Sequence, residues 1–205
     1  EKNKTKLIDL VVELSDKYCE VREELFDRIR LSSGNSQKIV SSIKVEIRSI
    51  MSEPSWENHW SGEGNLADFS RVENTMSTLF RNKEYDSVVE IMKELINLSG
   101  SYVETCDDDG DSTSQISACV GIGFEALKKS NLSDLEKVNI ALDAELADDY
   151  GIFEEATKVL KNVSDKGVWS EVSKQFRARI DKLSAMEDGF SSNYQRDKLS
   201  NYLIM

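Results

Sequence analysis

The chain has 205 residues, 39% hydrophobic and 31% charged, with a net charge of −12. That balance excludes general disorder, and no apolar run approaches the roughly 18–20 residues that would span a bilayer. The charge is concentrated: residues 51–150 carry 7 basic and 21 acidic groups while both flanks are nearly neutral, so the middle repels phosphate backbones and favours basic surfaces or cations. Nucleic acid and membrane are not expected partners.

Apolar residues at steps of three and four dominate the sequence, the period of a helix. Leu7, Leu10, Leu14, Tyr18, Val21, Leu25 and Ile29 predict one long helix, or two joined near Ser15–Asp16. Ile39, Ile43, Ile47 and Ile50 predict the next. Together they make residues 1–50 an N-terminal helical hairpin. "MSEPSWENHWSGEGN", residues 51–65, holds the only proline and two glycines and has no apolar period. A long loop over 51–66 is expected there.

Residues 67–205 are expected to continue as helical repeats packing with the first hairpin in one domain. Phe69, Val72, Met76 and Leu79 mark a helix that ends in a short turn at Asn82–Glu84. Tyr85, Val88, Met92 and Leu95 mark another, reaching toward Tyr102. Ile116, Val120, Phe124 and Leu127 form a stripe interrupted by Gly121 and Gly123, which implies a closely packed neighbour. "SDLEK" at 133–137 is a capping box. Leu135, Val138, Leu142 and Leu146 follow, until "DDYG" stops the helix with Gly151 available for a left-handed turn. Phe153, Ala156, Leu160 and Val163 form a short helix that Gly167 breaks. Trp169, Val172, Phe176, Ile180 and Leu183 form a longer one, and 190–202 a last one. The fold class is therefore all-α: nine or ten helices in stacked antiparallel hairpins, an irregular solenoid-like array.

Two acidic clusters are the candidate metal sites. "CDDDGDSTSQI" at 106–116 resembles a calcium loop only in part. With Gly110 at position 6, the bidentate glutamate of position 12 is replaced by Ile116; starting at Asp107, it is replaced by Ala118. Asp107, Asp109 and Asp111 therefore remain candidates only for weak cation binding, and the favoured expectation is a solvated connector with no metal and no cofactor. Glu145, Asp148 and Asp149 share adjacent turns and would suit a divalent ion if a facing helix supplied partners; Glu20, Glu23 and Glu24 imitate that half. A metal-dependent all-α hydrolase built on these carboxylates is the alternative to a non-enzymatic chain.

His59 is the only histidine, which excludes a multi-histidine zinc site. It lies between Trp56 and Trp60 with no nucleophile turn nearby. Those tryptophans are expected to fold the loop back onto a helix; the sharper alternative is a partner-binding loop of Trp56, His59 and Trp60. Lys174, Arg177, Arg179 and Lys182 read as a solvated surface, and no glycine-rich phosphate loop occurs. Cys19, Cys106 and Cys119, odd in number and without a CxxC, predict free thiols in a reducing, cytoplasmic setting. Four Asn-x-Ser/Thr sequons against about two expected by chance are weak evidence for secretion. The start "EKNKTKLIDL" has neither an initiator methionine nor a signal-type apolar stretch, which predicts a piece of a longer protein.

Four segments carry a resemblance: "LIDLVVELSDKYCEVREELFDRI" at 7–29, "LFRNKEYDSVVEIMKELI" at 79–96, "VETCDDDGDSTSQI" at 103–116 and "LADDYGIFEEA" at 146–156. Together they resemble the helical region of unknown function that follows a SWIM-type zinc finger in bacterial and archaeal proteins. The finger itself, CxC…CxH, is absent here and would lie upstream, so its zinc does not transfer to these residues. The resemblance implies a helical-repeat scaffold and supplies no catalytic residues. The expectation is a non-enzymatic interaction or scaffold module, with a groove between hairpins selecting a protein partner with a basic surface.

Overall fold

A computed structural model describes residues 2–32 and 34–184, with Asp197 and Ser200; apart from those two, the helix expected over 190–202 falls outside these. Nine helices are present among the described residues, and the all-α class holds. Helices α1 (Lys2–Lys17) and α2 (Cys19–Ser32) are nearly one rod. The amide of Tyr18 donates to Leu14 O at 2.8 Å and that of Arg22 to Tyr18 O at 3.3 Å, so two hydrogen bonds span the interruption, where the regular ladder is broken. The interruption sits at Tyr18, three residues beyond Ser15. The rod turns back into α3 (Ser36–Ile50), whose Ile39, Val40, Ile43 and Ile47 are buried.

The segment after α3 departs from expectation. It is not an irregular loop but a small antiparallel hairpin, β1 (Trp56–Asn58) with β2 (Glu63–Asn65). Its burial pattern is exposed throughout, so no alternation of apolar residues marks it in the sequence.

Helices α4 (Ser70–Arg81), α5 (Tyr85–Val103) and α6 (Asp111–Lys129) form the centre. The α4–α5 turn is tight because two bonds close it: Lys83 N–H to Phe80 O at 3.0 Å and Glu84 N–H to Leu79 O at 3.0 Å. That is a Schellman pair with Lys83 at φ +64°. Helix α7 (Asp134–Ala147) starts on the expected capping box, with Ser133 Oγ accepting from Glu136 N–H and the Glu136 carboxylate accepting from Ser133 N–H at 2.9 Å. Helices α8 (Ala156–Asn162) and α9 (Lys166–Ser184) close the array. Gly167 does not break a helix; it lies in the first turn of α9, its N–H bonded to Asp165 Oδ1 at 2.7 Å, a position where helix propensity matters little.

One apolar core runs from Ile39 and Ile47 of α3 through Phe69, Met76, Met92 and Phe124 to Phe153 and Val159. It crosses the hairpin segment without a break. A second cluster joins Val138 and Leu142 of α7 to Val172 and Phe176 of α9. The two glycines of α6 differ in role. A Cβ at Gly123 would lie 2.5 Å from the Met92 side chain, whereas one at Gly121 would meet nothing nearer than Glu155 Cγ at 4.0 Å. Gly123→Ala is therefore expected to lower stability by about 1–2 kcal/mol despite its better helix propensity, and Gly121→Ala to raise it by about 0.5–1 kcal/mol. Urea denaturation of the two variants checks the opposite signs.

Candidate partner-binding site

The hairpin is fastened to the acidic loop by its backbone. Glu57 N–H donates to Asp107 O at 2.9 Å, and Asp107 N–H donates to Ser55 O at 2.8 Å, a parallel bridge between Trp56 and Asp107. Ser55, fully buried, accepts from Ala67 N–H at 3.1 Å through its hydroxyl. Gln115 of α6 secures the far side: its amide donates to Ala67 O at 3.1 Å and its carbonyl accepts from Phe69 N–H at 2.9 Å. The two segments that the sequence singles out separately are thus one structure.

Within the loop the four aspartates do four different things. Asp107 contributes its backbone. Asp108, only 6% exposed, turns inward and accepts from Gly110 N–H at 3.2 Å, Ser112 N–H at 3.1 Å and the Ser112 hydroxyl. Burial pushes its carboxyl up, but the hydrogen bonds from Ser112, Ser55 and Gly110 together outweigh that and hold it below the ordinary carboxylate value. Asp109, at φ +53°, points outward to His59 Nε2 at 3.0 Å. Asp111 opens α6 and accepts from Gln115 Nε2 at 2.7 Å. Asp107, Asp109 and Asp111 do not converge, and among the described residues no group of three His, Cys, Asp or Glu side chains is placed to hold a metal.

The carboxylates of the hydrolase alternative are occupied in a similar way. Asp148 accepts from Ile152 N–H and Phe153 N–H, both at 2.8 Å, and Glu145 accepts from the Thr157 hydroxyl. Glu23 lies 3.5 Å from Arg71 and Glu24 pairs with Arg28 at 2.6 Å. Asp108 with Gly110 and Asp148 with Gly151 are two instances of one device: a carboxylate collects the amides of a turn while a glycine at φ +84° or +71° takes a backbone conformation that other residues reach only with strain.

The hairpin tip is built by Asn58. Its side-chain oxygen accepts from Trp60 N–H at 3.0 Å and Ser61 N–H at 3.3 Å, and its carbonyl accepts from Gly62 N–H at 2.9 Å. This Asx turn lifts Trp60 to the apex, where it is 99% exposed. The expectation that both tryptophans fold back onto a helix fails for Trp60. The turn that Asn58 closes directs the indole outward. Trp56, nearer the base, is 43% exposed. His59 leans from the tip to Asp109, with Glu57 Oε2 at 3.8 Å from its other nitrogen.

Charge around the tip has one sign. Residues 49–70 and 94–127 contain no lysine or arginine, and the backbone bridge joins these two stretches. Glu57 and Asp109 flank His59, and Glu63 accepts from the Ser61 hydroxyl at 3.4 Å, with His59 the sole basic side chain of the two segments. Beneath them, Tyr102 packs edge-on against Phe69 at 6.4 Å, and burial pushes its phenol up to about 12. The three cysteines are free; burial pushes the Cys119 thiol up to about 12, which makes it unreactive. An open cleft of about 930 Å³ lies between α4, α6 and α8, and Arg81, Lys158, Glu125 and Glu155 give it mixed charge.

No family model, curated protein or solved structure matches this chain at a significant level. No described helix is long and apolar enough to cross a membrane. Sequence reasoning missed Ser55, Asp108 and Gln115, the residues that hold the junction together. The one available signal was Asp-x-Gly-x-Ser at 108–112, the pattern of a carboxylate bonding forward to its own turn.

Proposed function

We propose that this chain is a non-enzymatic interaction module whose hairpin tip presents Trp60 to a protein partner with a basic surface. The observation that carries this reading is a fully exposed tryptophan held at a turn apex inside a zone free of lysine and arginine. An indole left in water is costly, and covering about 200 Å² of it is worth ~5 kcal/mol gross at ~25 cal/mol per Å². Each exposed ion pair adds only about 0.2–1 kcal/mol. Trp60 therefore sets the affinity, and the carboxylates set the partner's charge and the rate of encounter. A lysine or arginine of the partner stacks on the indole while Glu57, Glu63 or Asp109 meets its charge.

The resemblance to the SWIM-associated helical region suggests the wider setting: a cytoplasmic protein in which this scaffold positions a neighbouring zinc finger.

Calorimetric titration with an Arg/Lys-rich peptide tests the proposal, with a Glu-rich peptide of equal length as control. The basic peptide binds and the acidic one does not. Trp60→Ala weakens binding at least tenfold, by about 1.4 kcal/mol or more, with an unchanged melting temperature. Equal binding by wild type and variant would remove the tip from the interface.

A further inference from the structure

The rod α1–α2 contains an internal repeat that neither the core nor the hairpin uses. Residues 7–17 read LIDLVVELSDK and residues 18–28 read YCEVREELFDR. Seven of the eleven positions match in kind: Leu7 with Tyr18, Asp9 with Glu20, Leu10 with Val21, Glu13 with Glu24, Leu14 with Leu25, Asp16 with Asp27, and Lys17 with Arg28. Ile29 opens a third unit. An eleven-residue period spreads over three helical turns, about 3.67 residues per turn. That keeps an apolar stripe on one side of the two helices, as in coiled coils of the eleven-residue class.

The protein's own body leaves much of this stripe in water, with Leu14, Val21 and Leu25 half-buried. Leu7 is 61% exposed, Leu10 49%, Tyr18 44% and Ile29 62%, and the only substantial contact of α1 among the described residues is with α2. Helix α2 meets the body with its opposite face. Asp27 is buried there beside Arg71 Nη2 at 3.5 Å, Glu23 reaches the same guanidinium at 3.5 Å, and Leu31 packs on the core. At this period Glu23 and Asp27 lie about 160° around the helix from Leu14 and Leu25. On α2 a polar inner face and an apolar outer one reverse the usual order of a surface helix; on α1 the exposed Ile8 and Val12 lie on the side away from the stripe.

We propose that the α1–α2 rod pairs antiparallel with the rod of a second copy of this chain. The edges of the stripe select both occupant and direction. One edge carries Lys6, Glu13, Lys17, Glu24 and Arg28; the other carries Val11, Ser15, Arg22 and Phe26. A parallel pair sets the charged edge of one rod against Val11 and Phe26 of the other. An antiparallel pair sets like edge on like edge. In one register Lys17 faces Glu13 of the second copy and Lys6 faces its Glu24, each pair occurring twice. The same register interleaves the two apolar stripes from Leu7 to Val21, each of these side chains falling between two of the opposite rod, and leaves Leu25 and Ile29 at the ends.

Sedimentation equilibrium on the full chain tests this. The expected mass is twice the 23.2 kDa of one chain. Leu7→Glu and Leu10→Glu, both at exposed positions of the protomer, give a monomer with unchanged near-ultraviolet dichroism. Lys17→Glu weakens the dimer at least tenfold, and adding Glu13→Lys in the same chain restores it. A wild type that stays monomeric at every concentration overturns the proposal and leaves the stripe to another segment or another protein. A dimer that survives both stripe variants overturns it equally, and a charge reversal without rescue overturns the antiparallel register.

Discussion

Replacing Asp108 by alanine is expected to lower the free energy of unfolding by about 3 kcal/mol. The carboxylate accepts from the amides of Gly110 and Ser112 and from the Ser112 hydroxyl. Alanine leaves those donors buried without a partner, and it also removes the negative charge at the start of α6. The effect extends beyond the loop, because the hairpin hangs on the backbone of the adjacent Asp107. Asp108→Asn, which keeps one acceptor oxygen, is expected to cost about half as much.

The same group sets a pH dependence. The folded-state carboxyl lies below its ordinary value, so its stabilisation is fully present above the unfolded pKa of about 3.9 and is lost as pH falls through the lower folded value. Urea midpoints measured from pH 7 to pH 2 should therefore converge for wild type and Asp108→Asn at the acid end. A constant gap down to pH 2 would contradict this assignment.

Arg71→Ala is expected to cost about 2–3 kcal/mol and to loosen the rod before the core. One guanidinium ties Glu46 of α3 to Glu23 and Asp27 of α2, and Asp27 is only 7% exposed. Without Arg71, the partner left to that carboxylate among the described residues is Arg30, at 3.0 Å. Arg71 is itself partly open to solvent, which places the cost at the low end for a broken buried pair. Amide hydrogen exchange should show protection lost across residues 19–32 while α5 and α6 keep theirs. Arg71→Lys should recover only part of the loss, since an ammonium cannot fork between three carboxylates.

Helices were legible in this sequence because burial enforces a period. Ile39, Ile43 and Ile47, or Val72, Met76 and Leu79, are fully buried where their spacing puts them. The capping box at Ser133 and the left-handed turn at Gly151 were legible because each rests on local chemistry. The hairpin was hidden because its six strand residues are all exposed and leave no alternating pattern. The stripe of α1 and α2 had the period of a core helix, yet much of it lies outside the core. Periodicity reports that a face seeks cover and is silent about which molecule supplies it. The site was half legible: Trp56, His59, Trp60 and the aspartates stood out by composition. That Asp107 and Trp56 adjoin depends on a pairing about fifty residues apart, which no local pattern encodes.

The most direct measurement of the central claim is the position of the tryptophan indole N–H resonances during titration with a basic peptide. Trp169 donates its indole N–H to Val163 O at 2.8 Å and is half-buried, so it serves as an internal reference. The account predicts that the Trp60 resonance moves progressively and saturably while that of Trp169 stays fixed, and that the backbone amides of 57–63 and 107–111 move with it. A stationary Trp60 resonance in the presence of bound peptide, with the shifts centred on α4, α6 and α8, would contradict it.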